Sequence, residues 1–222
     1  MECITENGIR YYITPEGRFP SVTSILSLLP KPGLENWRTI LGKEADKIAA
    51  ERAVVGSVCH YRILSKYSIR LIEPPNVFLP WKDPEKWLKE LNMRAEICEI
   101  LWDELSIDLE PLYVEHTLVS RKYRFAGTLD LLAEIDGENV IIDLKTSKEI
   151  WKEYELQLAA YTIMCEENGI NVDYGMIVKL HPFNDVESDI IKLDKKRLDK
   201  RGKEFLDLVV MFYEKEKSAG KL

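Results

Sequence analysis

Asp130 and Asp143 stand thirteen residues apart in two apolar, β-rich runs, FAGTLDLLAEI and NVIIDLK, and Asp136-Gly137-Glu138 between them signals a tight hairpin turn. Such a hairpin can bring both carboxylates to one edge of a sheet. Two acids held that close repel unless a cation lies between them. Oxygen ligands of this kind suit Mg²⁺, which keeps several waters and accepts phosphate oxygens, and Mn²⁺ would substitute. Lys145, two residues beyond Asp143, shares its strand face. A hard cation that acidifies water, beside a lysine that orients it and stabilises developing charge, is the chemistry of phosphodiester hydrolysis. Taken alone, a D-x-K of this kind is ordinarily a weak surface ion pair on an edge strand.

The elements that must position these residues are readable along the chain. IRYYIT, a PEG turn and RFPSV suggest a short N-terminal hairpin. From Val22 to about Tyr67 the pattern is helical, broken at LPKPG, and ADKIAAERAVVGSVCHYRIL puts His60 on a helix. DPEKWLKELNMRAEICEILWDEL opens with Asp83 as N-cap and Pro84 at the first helical position, with Trp87, Leu91, Ile97, Leu101 and Leu105 on one stripe. LYVEHTLV, FAGTLDLLAEI and NVIIDLK predict an antiparallel meander. A helix over EYELQLAAYTIMCEENG ends at Gly169, the strands YGMIVKL and VESDIIKL follow, and a charged helix runs from about Asp194 to Lys217. The fold class expected is α/β, a central mixed sheet flanked by helices with an N-terminal helical addition. One domain over 1–222 is expected, with a hairpin and helical part at 1–80 and the core at 81–222.

With 222 residues and 45% hydrophobic residues, the chain can bury one sizeable core. It has neither an apolar run of membrane-spanning length nor the pattern of a signal peptide, so a soluble, cytoplasmic protein is expected. Cys3, Cys59, Cys98 and Cys165 are irregularly spaced and read as reduced thiols. The net charge of -7 is concentrated in Asp83 to Glu115, where ten acids face three bases. Lys31 to Arg70 carries eight bases against four acids, and Asp194 to Lys203 six against two. Those two stretches are either phosphate-binding surfaces or ordinary solvated helix faces.

GTLDLL, IIDLKTS and QLAAY, in this order and spacing, closely resemble the motifs of the RecB-like branch of the PD-(D/E)XK nucleases, and GSVCH, with Gly56 and His60, looks like that branch's upstream histidine element. The resemblance spans about residues 56–161. It implies a restriction-endonuclease-like core and a Mg²⁺-dependent DNA nuclease, an exonuclease on single-stranded DNA or DNA ends in recombination, repair or phage DNA metabolism. It implies Asp130 and Asp143 as metal ligands, His60 as a further ligand and Lys145 as the catalytic lysine, with Gln157 and Tyr161 orienting the site and contacting DNA. On their own, a helical His60 reads as a packed or surface residue, Tyr161 as core and Gln157 as solvated. Glu115 is either a water-mediated metal ligand or an exposed strand acid. Thr146, Ser147 and Lys148 could bind phosphate or begin a turn, and Arg121, Lys122 and Arg124 are a DNA-facing loop or a polar hairpin. No cysteine follows Cys165, so the iron-sulfur cluster of some relatives is not expected. Lys43, Lys47, Arg52 and Arg62 are candidate phosphate contacts, with the acidic helix lying away from substrate. The other readings are a non-catalytic nucleic-acid-binding or scaffolding member of the fold, or a site-specific endonuclease.

Overall fold

The computed structural model describes residues 1–218. β4 (Glu110–Ser120), β5 (Phe125–Ile135) and β6 (Glu138–Lys145) form the expected antiparallel meander. Asp136 and Gly137 both adopt positive φ, 54° and 81°, the two-residue turn geometry that matches strand twist. α5 (Lys152–Glu167) then crosses over to β7 (Tyr174–His181), parallel to β6, and β8 (Glu187–Asp194) returns antiparallel. The strand order is β4-β5-β6-β7-β8. β6 is therefore central and covered on both faces, which is why VII precedes its aspartate as an unbroken apolar run. Asp143 is buried at the middle of the sheet, not at an edge.

Two helical layers cover the sheet. On one face Leu132 and Ile141 pack with Leu158, Ala159 and Phe205 of α5 and α6 (Lys195–Ser218), joined by Val22 and Ile25 of α1 (Val22–Leu26). On the other, Leu131, Ile142 and Leu144 pack with Val55, Cys59 and Ile63 of α3 (Lys43–Ser65) and Leu91 and Cys98 of α4 (Pro84–Glu104). Asp83 Oδ1 accepts the Lys86 N–H at 2.8 Å and caps α4 as read. The buried stripe of α4 is Trp87, Leu91, Ala95, Cys98, Leu101 and Trp102, while Ile97 and Leu105 lie at its margin. The acidic helix packs against the basic one: Arg62 Nη1 lies 3.1 Å from Glu99 Oε2 and its Nη2 donates to Asn92 Oδ1 at 2.7 Å, while Lys66 pairs with Asp103 at 3.2 Å. This corrects the expectation for Arg62, whose donors are turned to α4. At the N-terminus β1 (Cys3–Glu6), β2 (Ile9–Thr14) and β3 (Gly17–Pro20) make three strands where two were expected. α2 (Pro32–Leu41) buries none of its residues. Among the described residues no helix is long and apolar enough to cross a membrane.

α5 and α6 are joined through a buried charge. Glu155 accepts from Arg197 Nη2 at 2.6 Å and Nε at 3.2 Å, and from Arg201 Nε at 2.6 Å. Burial raises its pKa, but the two guanidiniums outweigh burial and hold it below the ordinary value. A lowered folded value means that the stabilisation is complete above the unfolded value near 4.5 and is lost as pH falls through the folded one. Glu155→Gln should therefore lower stability at pH 7 by about 1–3 kcal/mol, and the deficit should shrink in acid. Urea unfolding at the two pH values checks this; an equal deficit at both would show that charge is not the cause.

Candidate active site

Strand register builds the site. The β5–β6 ladder runs from Ile135↔Glu138 to Leu131↔Ile142, and one further step would set Asp130 opposite Asp143. On the other side Val114↔Leu131 and His116↔Leu129 bracket Glu115 and Asp130. Three neighbouring strands thus bring three carboxylates into a row. Like charges set opposite one another resist pairing, and the β5–β6 ladder stops there; Asp130 Oδ2 instead accepts the Leu144 N–H at 2.8 Å. Glu115 sits in the left-handed region at φ 46°, a conformation that costs about 1–3 kcal/mol in a non-glycine residue and concentrates at functional sites.

His60 arrives from α3, with Nδ1 3.5 Å from Asp130 Oδ1. Gly56, one turn earlier, lets the helix come this close: a Cβ there would lie 3.2 Å from Thr146 Oγ1 at the end of β6. His60, Glu115 and Asp130 each offer a ligand atom, all within 4.8 Å of one another. Asp143 stands beside this group and not within it. Lys145 Nζ forms an ion pair with Asp143 Oδ2 at 2.5 Å, and neither Asp143 oxygen has a further hydrogen-bond partner among the described residues.

The charges are strongly coupled. Burial raises Asp143 to about 6, opposed by Lys145 and reinforced by Asp130. Burial also acts to raise Asp130, yet the charge and hydrogen bond of His60, the charge of Lys145 and the Leu144 N–H bring it below the ordinary value. His60 and Lys145 are both disfavoured as cations by burial, and both are raised overall, by Asp130 and by Asp143 with Asp130 respectively. Two buried carboxylate oxygens without a further hydrogen bond, beside a cluster of hard donors, are the surroundings that a divalent cation fits.

From α5, Tyr154 places its ring 4.9 Å from Lys145 Nζ and donates its hydroxyl to Ser147 Oγ at 3.1 Å. Gln157 Nε2 donates to the Tyr161 hydroxyl at 2.9 Å. Tyr161 is buried, and its own hydroxyl is raised well above 10 by burial and by Asp143 and Asp130. It is at once a core residue and a neighbour of the carboxylates. Its ring needs Gly127, the glycine of GTLD, where a Cβ would come 2.8 Å from Tyr161 Cε1. Tyr154 and His181 were not legible as site residues. His181 Nδ1 lies 3.0 Å from the Thr146 carbonyl and pins the end of β6; it is placed by the parallel β6–β7 register, which no local pattern announces. Lys148 pairs with Asp185 at 2.6 Å and Arg121 with Glu16 at 3.0 Å, both on the surface.

Residues 69–204 match the family model of the PD-(D/E)XK nuclease superfamily, a stretch that holds Glu115, Asp130, Asp143, Lys145, Gln157 and Tyr161 and begins after His60. The chain belongs to the PD-(D/E)XK nuclease superfamily. Among curated proteins, none matches it. A candidate exonuclease from Eubacterium rectale is 15% identical over 78% of this chain and 69% of its own, with a TM-score of 0.46. An alkaline exonuclease from Laribacter hongkongensis, LHK-Exo, is 11% identical over 91% of this chain and 94% of its own, with a TM-score of 0.38. LHK-Exo in complex with dAMP gives 11% over 77% and 96%, with a TM-score of 0.36. These likenesses are distant, and the assignment to the nuclease superfamily rests on the family match. Within this nuclease the Gly127–Tyr161 contact is directly testable. Gly127→Ala should destabilise by about 1–3 kcal/mol by displacing the Tyr161 ring. A melting temperature unchanged from wild type would show that the packing there is looser than described.

Proposed function

We propose that the chain is a Mg²⁺-dependent deoxyribonuclease, with Mn²⁺ able to substitute, that removes nucleotides from single-stranded DNA or DNA ends. The observation that carries this reading is the adjacency of two unlike groups: His60, Glu115 and Asp130 within 4.8 Å of one another, and next to them Asp143, ion-paired with Lys145 and with no further hydrogen bond. Those three residues with Asp143 would hold the metal. When bound, the metal lowers the pKa of a coordinated water and neutralises charge on the phosphate. Lys145, kept as an ammonium by Asp143 and Asp130, orients the attacking water and stabilises the phosphoryl oxygens as charge builds on them. Gln157 and Tyr161 orient the site from α5 and contact the DNA. Residues 1–222 are read as one nuclease domain whose helical part, within 1–80, supplies His60. The free thiols of Cys59, Cys98 and Cys165 fit a reducing cytoplasm.

With Mg²⁺, end-labelled linear single-stranded DNA should be degraded and circular single-stranded DNA spared. Cut circles would make the enzyme an endonuclease, and a folded protein that binds DNA without cutting either form would be a binding or scaffolding member. Lys145→Ala and Asp143→Ala should each lower the rate by roughly 10²–10³-fold or more. Because Asp143→Ala leaves the buried Lys145 ammonium without its ion-pair partner, that variant should be less stable than wild type in the absence of metal, by up to about 3–5 kcal/mol. An unchanged melting temperature would show that the pair contributes nothing to the fold.

Metal binding has its own readout. Mn²⁺ at 100 times its Kd should stabilise the protein by about 2.7 kcal/mol, a rise of several degrees in Tm. The rise should vanish in Asp130→Asn and shrink in His60→Ala. A full rise in His60→Ala would remove that histidine from the metal shell.

A further inference from the structure

Most bases near the site already have carboxylate partners. Arg62 is held by Glu99, Arg94 by Glu90 and Lys82 by Glu51. Two arginines differ. Arg52 is exposed on α3, two turns before His60, and lines one recess of about 310 Å³ with His60, Lys145, Thr146 and Tyr154. Its guanidinium lies 4.8 Å from the centre of the Phe183 ring, which Arg94 also approaches, at 4.7 Å. Arg10, exposed on β2, lies 5.1 Å over the ring of buried Tyr12. The Tyr12 hydroxyl bonds Thr128 Oγ1 at 3.0 Å, and Thr128 bonds Thr117 Oγ1 at 2.9 Å. Thr128 is two residues before Asp130 and Thr117 two after Glu115, so the threonine pair lies one strand repeat from the carboxylates and Arg10 lies beyond it, across the Tyr12 ring. Among the described residues neither Arg52 nor Arg10 is held in a salt bridge; Arg10 Nη2 donates to Cys3 Sγ at 3.7 Å, and its charge acts at longer range on Glu115.

A guanidinium seated on a ring has its plane fixed while it keeps its charge and in-plane N–H donors. A salt-bridged arginine already has those donors on a carboxylate. The ring-seated state is therefore the one prepared to grip a phosphate through two N–H groups. One such arginine lies on the Lys145 side of the carboxylates and the other on the Thr128 side.

We propose that single-stranded DNA crosses the site between two arginine–aromatic pairs, Arg52 on Phe183 and Arg10 on Tyr12, each arginine binding a backbone phosphate on its own side of the bond to be cut. The path rests on the nuclease reading above and adds to it the track of the strand. Contacts of this kind position a strand without reading its sequence.

Anisotropy of a labelled oligothymidylate, in Ca²⁺ in place of Mg²⁺ and over a series of salt concentrations, tests the path. Arg52→Gln and Arg10→Gln should each weaken binding several-fold, and each should lower the slope of log affinity against log salt by about 0.7. Arg52→Lys, which keeps the charge and loses the fork, should keep the slope and lose affinity. Lys86→Gln and Lys89→Gln on α4 serve as controls whose slopes should not move. If wild type binds and cuts DNA while both arginine-to-glutamine slopes equal its own, the path is wrong and the nuclease reading stands. If wild type neither binds nor cuts DNA, the reading and the path fall together.

Discussion

Asp143 is a carboxylate at the centre of an apolar sheet, with an ammonium 2.5 Å away and no further hydrogen bond to either oxygen. Burying a charge in this state costs several kcal/mol unless a partner compensates it. The surrounding core supplies the means to hold it there. Val140, Ile141, Ile142 and Leu144 are almost completely buried between two helical layers, and at about 25 cal/mol per Å² of apolar surface their burial keeps β6 central despite the charge it carries. The β5 ladder stops one pair short of the two aspartates, and Asp130 takes over the Leu144 N–H that the ladder leaves. The break in regular pairing and the gathering of charge are one feature.

Close approach by helices from both faces completes the arrangement, and a glycine permits each approach. On α3, Gly56 brings the backbone against Thr146; within β5, Gly127 makes room for the Tyr161 ring of α5. At Gly127 a Cβ would come nearer than such atoms pack, and at Gly56 it would press on the Thr146 side chain. α3 then divides its surface three ways: Val55, Cys59 and Ile63 enter the core, Arg62 and Lys66 meet the acids of α4, and His60 reaches Asp130. A shift of α3 that served one set of contacts would disturb the other two, so the position of His60 is fixed from three sides.

Features carried by short-range patterns were legible in the sequence. The meander, its Asp136-Gly137 turn, the Asp83 cap and the helix stop at Gly169 all follow from residue types a few positions apart. The first strand, CITE, is mostly exposed and shows no apolar period, so nothing marked it. Ile97 fell off the α4 stripe because it lies ten residues from Trp87, about 80° out of phase at 3.6 residues per turn. The central place of β6 depends on its parallel pairing with β7, about thirty residues later, and long-range pairing leaves no local trace. The same reason hid His181. The left-handed Glu115 carries no glycine or asparagine signal, and the reading of His60 as more than a packed helical histidine came from the motif resemblance and not from its own surroundings.

Net charge was the least informative number, and the ion pairs explain why. The ten acids between Asp83 and Glu115 include Glu90, Glu99 and Asp103, which pair with bases on α3, on α4 itself and in the segment before α4. Charges neutralised in contact project little field past a screening length of about 10 Å. The local potential at the site is instead set by Glu115, Asp130 and Asp143 against His60 and Lys145, a balance in which the acids outnumber the cations only while no divalent ion is present. On the proposed reading His60 binds a divalent cation as a neutral imidazole, so the loaded site is brought to balance and the surplus of acid is removed. A phosphate would then meet repulsion at the metal-free site and lose that repulsion at the loaded one, so affinity for the polyanion and affinity for the metal are linked and each must raise the other.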